Sequence, residues 1–142
     1  MKRLLFFVLA FVVSIVACKS AKNVTSEVSL SGNWDLVNFP SGGKEFAEIL
    51  GSRKPELQFD ETNKKVTGTS GCNHISGAYT HNGKMLQFDD NMIMTKMACP
   101  GYDESVFMDA LRKVNQYQIN NDQLNLMQNG NVLMSLAKKS SK

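Results

Sequence analysis

The stretch YDESVFMDALRKV, Tyr102 to Val114, carries the clearest helical period in the chain and decides how the rest is read. Val106, Phe107, Ala110, Leu111 and Val114 recur at the spacing of one helix face. Pro100-Gly101 breaks the chain just before it. Asp103 and Glu104 stand at its start, Arg112 and Lys113 at its end, each sign where the helix dipole favours it. On both sides the period falls to two. Upstream, Ser29 to Phe39 reads as a first strand through Leu30, Trp34 and Leu36, followed by a turn at Ser41-Gly42-Gly43-Lys44. Phe46, Ile49 and Leu50 fit one short helical turn. Pro55 to Asp60 and Lys64 to Thr69 alternate around Leu57, Phe59 and Val66. Gly77 to Thr80 and Met85 to Phe88 flank Asn82-Gly83, a strong hairpin signal. Asn91 to Met97 follows as a further strand. Downstream, Gln116 to Ile119, Gln123 to Met127 and Val132 to Ala137 alternate between polar turns.

Short connections imply antiparallel neighbours. The expected fold is α+β: a single compact domain with a curved, mostly antiparallel sheet of about eight strands. One main helix, about 102–114, packs against it. The expected core includes Trp34, Leu57, Phe59, Phe88, Phe107 and Leu111.

Composition narrows the class. The chain has 142 residues, enough for one ordinary domain, with 16 Lys+Arg, 13 Asp+Glu and 3 Cys. Its formal charge of +3 includes Lys2 and Arg3. Without them, 14 basic residues face 13 acidic ones, a net charge of +1. Such a balance offers no electrostatic footprint for nucleic acid, which is not expected as a partner.

The N-terminus points to export. Met1-Lys2-Arg3 is a short positive region, and Leu4 to Val13 is an apolar run too short to span a bilayer. Ile15-Val16-Ala17-Cys18 resembles a bacterial lipobox. That resemblance implies removal of residues 1–17 and lipidation of Cys18. Lys19 to Val28 is polar and aperiodic, so 18–28 reads as the lipidated Cys and a flexible tether, 29–137 as the folded domain and 138–142 as a solvated tail. The membrane is then a partner through the anchor. No Asp follows Cys18, which favours the periplasmic side of the outer membrane in hosts that use Asp as a retention signal. An ordinary signal peptide with a chance Cys, or an uncleaved membrane helix, would read similarly.

An ordered set of motifs covers most of what remains. Gly71-Cys72-Asn73, Gly77-x-Tyr79 and Met97-Ala98-Cys99-Pro100 ahead of the helix join Trp34, Leu57-x-Phe59, Val66-x-Gly68 and Leu86-x-Phe88. Together they resemble the META domain, the HslJ-like family of bacterial envelope lipoproteins, from Leu30 to Ala137. The resemblance implies a curved antiparallel sheet with a packed helix and an association with heat-shock or stress response. It implies no established reaction.

The remaining chemistry is sparse. With Cys18 assigned to lipid, Cys72 and Cys99 form an even pair in an oxidising compartment, and a structural disulfide is the favoured reading. A redox-active pair or two free thiols stay open. The loop from Gly71 to Gly77 is either a turn or a small polar site around Asn73. His74 and His81, or Met92, Met94 and Met97, would suit zinc or Cu(I) only with further convergent ligands. Asp89-Asp90 are strand neighbours that point apart. We expect no catalytic residue, no metal site and no cofactor, and an unknown envelope protein or small ligand as partner. Gly32-Asn33-Trp34 also resembles the opening of lipocalins, which implies an alternative: a cup for an apolar ligand. An envelope protease inhibitor or partner-binding module, with Phe39 to Phe46 at its surface, is a third reading.

Overall fold

The computed structural model describes residues 29–40, 53–100 and 103–140. The segment expected as signal, lipidated Cys18 and tether, the helical turn at Phe46 to Leu50 and the last residues of the tail lie outside the described residues.

Nine strands and one helix are present among the described residues. In chain order they are β1 (Gly32–Asn38), β2 (Glu56–Asp60), β3 (Lys65–Thr69), β4 (His74–Asn82), β5 (Met85–Phe88), β6 (Ile93–Met94), α1 (Ser105–Lys113), β7 (Gln116–Asn120), β8 (Gln123–Gln128) and β9 (Asn131–Lys138). All pairings are antiparallel. The expected curved antiparallel sheet with one helix is therefore present, and it goes further than curvature. β1 pairs with β2 on one side and β9 on the other, and β3 pairs with β4. The sheet closes on itself as the ring β1-β2-β3-β4-β5-β7-β8-β9, and β6 pairs with β4 on the edge opposite β3, the edge that β5 takes further along.

Turn chemistry follows the sequence. Asn82 pairs with Met85 across a turn in which Gly83 takes φ +57°. Gln128 pairs with Asn131 across Asn129 and Gly130, both at positive φ, the geometry that matches strand twist in a two-residue hairpin. The Asp60 carboxylate accepts from Asn63 N at 3.0 Å and shapes the β2–β3 turn.

Two strand expectations change. β4 begins at His74 rather than Gly77, because Ser70 N donates to the Asn73 carbonyl at 2.9 Å and closes a tight turn that lets the strand restart at once. β6 holds only Ile93 and Met94 of the expected Asn91-to-Met97 strand. Asn91 N is drawn to the Asp89 carboxylate, and Met97 N goes to the Asn73 side chain instead of a strand partner.

The barrel interior is filled. Trp34, Leu36, Leu57, Phe59, Tyr79, Phe88 and Leu126 are at most 3% exposed, and helix residues Phe107 and Leu111 are fully buried. Burying each such side chain contributes about 1.5–3 kcal/mol. Phe59 meets Tyr79 and Phe88 at ring separations of 5.2 and 6.0 Å across the interior. α1 lies at one end of the barrel, where Phe107 packs edge-on against Phe39 at 6.2 Å. At the other end the segment before β1 folds inward: Leu30 is fully buried and its carbonyl accepts from Trp34 Nε1 at 2.7 Å. Interior positions thus hold packed side chains, and the hollows at Ala78-to-Asp90 (about 280 Å³) and Thr80-to-Asn115 (about 160 Å³) are open depressions at the protein surface. The cup required by a lipocalin-like binder is occupied by the protein's own core.

Candidate functional site

The motif Gly71-Cys72-Asn73 forms the turn between β3 and β4. Gly71 takes φ +98°, and Asn73 is completely buried beside fully buried Ser70. Burial of an amide costs free energy unless each donor and acceptor is used, and here each is. Asn73 Oδ1 accepts from Thr95 Oγ1 and Met97 N, both at 2.7 Å. Asn73 Nδ2 donates to Glu104 Oε1 at 2.7 Å, Glu104 Oε2 at 3.0 Å and the Met97 carbonyl at 3.2 Å. Ser70 Oγ donates to the same Glu104 carboxylate at 2.8 Å and accepts from Asn73 N at 2.9 Å.

Three segments meet in this cluster: the β3–β4 turn, the extended strip 95–99 and the residue that caps α1. A Cys72–Cys99 disulfide, with Cα atoms 6.2 Å apart, joins the first two covalently. The favoured pairing of these cysteines is present, and neither is a free thiol. Glu104 was expected to serve the helix dipole. Its carboxylate instead turns back to Ser70 and Asn73, and Asp103 accepts from Ser105 N at 3.0 Å. Those bonds from Ser105, side chain before backbone, hold the Asp103 carboxyl below its ordinary value. A saturated amide has no valence left for a substrate, so the cluster acts as a latch.

Other candidates do not converge. His74 and His81 lie on opposite faces and near opposite ends of β4, as strand parity requires. Met92 and Met94 pack against the core while Met97 is 55% exposed. Asp89 accepts from Asn91 N at 2.8 Å, and Asp90 is exposed beside it. Among the described residues no group of three or more His, Cys, Asp or Glu is placed to hold a metal.

A second polar cluster, not anticipated from the sequence, sits at the barrel end away from the helix. Lys64 Nζ donates to His81 Nε2 at 2.6 Å, and Glu61 Oε1 lies 3.8 Å from the same nitrogen. The His81 ring lies against Tyr79 and edge-on to Tyr117. Glu61 accepts from Ser29 Oγ, from Ser31 Oγ at 3.0 Å and from Ser31 N at 3.3 Å, so it clasps the segment that closes this end. Burial pushes the Glu61 carboxyl up, but the bonds from Ser29 and Ser31 outweigh it and hold the group below its ordinary value. The Tyr79 hydroxyl is buried with no protein partner. Burial, then the nearby Glu61 and Asp60 charges, push the phenol up to about 12. The available signal was spacing: Tyr79 and His81 share a face of β4, but that alone does not say which turn they meet.

The model of the META domain family matches residues 26–140. This chain belongs to the META domain family. Among solved structures, the META domain here is similar to a DUF4847 family protein from Bacteroides vulgatus ATCC 8482, with 18% identity and a TM-score of 0.60, over 82% of this chain and 99% of that one. It is also similar to a protein from Burkholderia xenovorans solved by NMR, with 21% identity and a TM-score of 0.58, over 78% and 83% of the two chains. Both likenesses are of fold. No curated protein matches the sequence at a significant level.

Proposed function

We propose that this META-domain protein is a lipid-anchored component of a bacterial cell envelope. It is held through Cys18, on the periplasmic side of the outer membrane, and acts as a stress-associated binding or structural module without catalysis. The observation that carries the reading is the Cys72–Cys99 disulfide in a chain whose residues Ile15-Val16-Ala17-Cys18, after a positive and an apolar stretch, resemble a lipobox. Disulfides persist in oxidising compartments and are rare in the cytosol. A single acyl chain binds membranes only marginally, whereas several anchor stably. The non-catalytic part is supported by the polar groups themselves: the buried amide of Asn73 is spent on internal bonds and the barrel interior on core packing. The stress association rests on the family alone.

The test is metabolic labelling with a fatty acid together with membrane fractionation. The natural chain should carry label and sediment with membranes. Cys18→Ala should lose the label and either stay unprocessed or become soluble. A Cys18→Ala chain of mature size that still sediments with membranes would sink the anchored reading.

A further inference from the structure

The β4–β5 hairpin reaches past the ladders that hold it on either side. The β3 ladder ends with Lys65 opposite Ala78, and one further bond, from Tyr79 N to the Lys64 carbonyl at 3.0 Å, lies beyond it. Thr80, His81 and Asn82 then pair only with β5 among the described residues. On its far side β5 meets β7 at one residue pair, Met85 opposite Gln116. Two backbone bonds flank that pair: Leu86 N donates to the Asn115 carbonyl at 3.3 Å, and Tyr117 N to the Lys84 carbonyl at 2.9 Å. β7 by contrast pairs with β8 along its whole length, from Gln116 opposite Met127 to Asn120 opposite Gln123. The ring is weakest where the hairpin tip meets β7, because so few bonds must break there for it to open. His81 reaches both ways from the tip. Its Nε2 accepts from Lys64 Nζ at 2.6 Å, and its ring stands edge-on to Tyr117 at 6.4 Å. The hollow of about 160 Å³ follows the same line, with Asn115 on one side and Thr80, Met85 and Gln87 of the hairpin on the other.

We propose that residues 80–87 are a flap, which swings from β7 as a unit and opens the barrel wall beside its polar end. The base of the flap is fixed. Asp89 N donates to the Ala78 carbonyl at 2.9 Å and holds the two arms together, while Gly77 packs against Met92. Beyond that level the arms bond to each other and move together. The swing breaks the Leu86 and Tyr117 bonds in one event and parts His81 from Tyr117. The shut state is the resting one, since Leu86 is fully buried behind the seam. The open state uncovers Leu86 and gives a side entrance to the interior beside Tyr79, against whose ring His81 lies in the shut state. The flap is independent of the lipid anchor.

The test is native-state hydrogen exchange on the full-length chain in detergent micelles, read amide by amide. Leu86 and Tyr117 should show matching protection, at least about ten-fold below that of Tyr79 and Asn115, whose bonds lie in the adjoining β3–β4 and β7–β8 ladders. Bonds on both sides of Met85 and Gln116 make them a non-hydrogen-bonded pair, with Cα atoms about 4.5 Å apart, inside the bridging range of about 4.4–6.8 Å for a disulfide. Oxidising a chain that carries Met85→Cys and Gln116→Cys should lock the flap. Protection at Leu86 and Tyr117 should then rise several-fold over the same variant kept reduced, with Tyr79 unchanged. Protection of Leu86 and Tyr117 equal to that of Tyr79 and Asn115 would overturn the proposal. So would unmatched protection of the two amides, or a lock that leaves their exchange as it was. If the double variant does not fold, exchange in the natural chain decides alone.

Discussion

Asn73 and Glu104 stand 31 residues apart in sequence, and the amide of one donates to both carboxylate oxygens of the other. One side chain of the β3–β4 turn thereby sets where α1 begins. Removing it should be felt at both places. Asn73→Ala strips the bonds to Thr95, Met97 and Glu104 and leaves part of a carboxylate underpaired. A loss of about 2–4 kcal/mol is expected from denaturant unfolding. Glu104→Gln keeps an acceptor for Ser70 or Asn73 and should lose clearly less than Glu104→Ala. Equal losses would mean that Glu104 is not held by these bonds.

The disulfide joins residues 27 apart in sequence. Closing a loop of that size contributes roughly 3–4 kcal/mol in the chain-entropy picture. Reductant, or Cys72→Ser with Cys99→Ser, should lower the melting temperature well beyond scatter. Alkylation of the unfolded, unreduced protein should label neither Cys72 nor Cys99, and label at either would contradict the bond.

Gly68 sits where a Cβ would lie 1.9 Å from the Glu56 carbonyl oxygen, and backbone cannot yield as a side chain can. Gly68→Ala should therefore cost several kcal/mol or abolish folding, beyond the usual 1–3 kcal/mol of overpacking. Gly83→Ala faces open space at φ +57° and should cost only about 1–2 kcal/mol. Gly77→Ala meets the root of the Met92 side chain, with Cγ at 2.6 Å and Cα and Cβ at 3.4 Å, and should fall between them. Thermal melts of the three variants check the order.

Stability should fall at both pH extremes through the polar end of the barrel. The Glu61 carboxyl is held below its ordinary 4.5, so its contribution is present above that value and is lost as pH falls through the lower folded value. Glu61→Gln should flatten part of this acid limb. The Tyr79 phenol is pushed from 10.0 to about 12, so its contribution is present below pH 10 and lost as pH rises toward 12. Tyr79→Phe should remove that alkaline step. Because the hydroxyl is buried without a protein partner, it should also leave neutral-pH stability unchanged or about 1 kcal/mol higher. An ultraviolet titration in which every tyrosine ionises near pH 10 would contradict the assignment.

Much of the fold was legible because alternation and turn chemistry are local. Leu57 and Phe59, or Asn82-Gly83, announce a strand and a hairpin without help from remote residues. Closure was not legible, since it depends on β1 meeting β9 and β5 meeting β7. Alternation says which face is buried but not whether two edges touch. At the latch, Cys72, Asn73 and Cys99 stood out, whereas Glu104 already had a sufficient local explanation in the helix dipole. Ser70, Glu61 and Lys64 are ordinary turn or surface residue types, and only folding shows what they meet.

The pairing of β1 with β9, from Trp34 opposite Lys138 to Asn38 opposite Ser135, has a consequence in time. The first strand of the domain obtains one of its two neighbours only from the last. A chain still emerging from a ribosome or a translocation pore holds β1 with one side bare until residue 138 is free. Local hairpins can form and reopen, but the ring cannot shut on a partial chain, and non-local closure of this kind is slow. The architecture therefore keeps the chain open through synthesis and makes release of its final strand the event that completes folding.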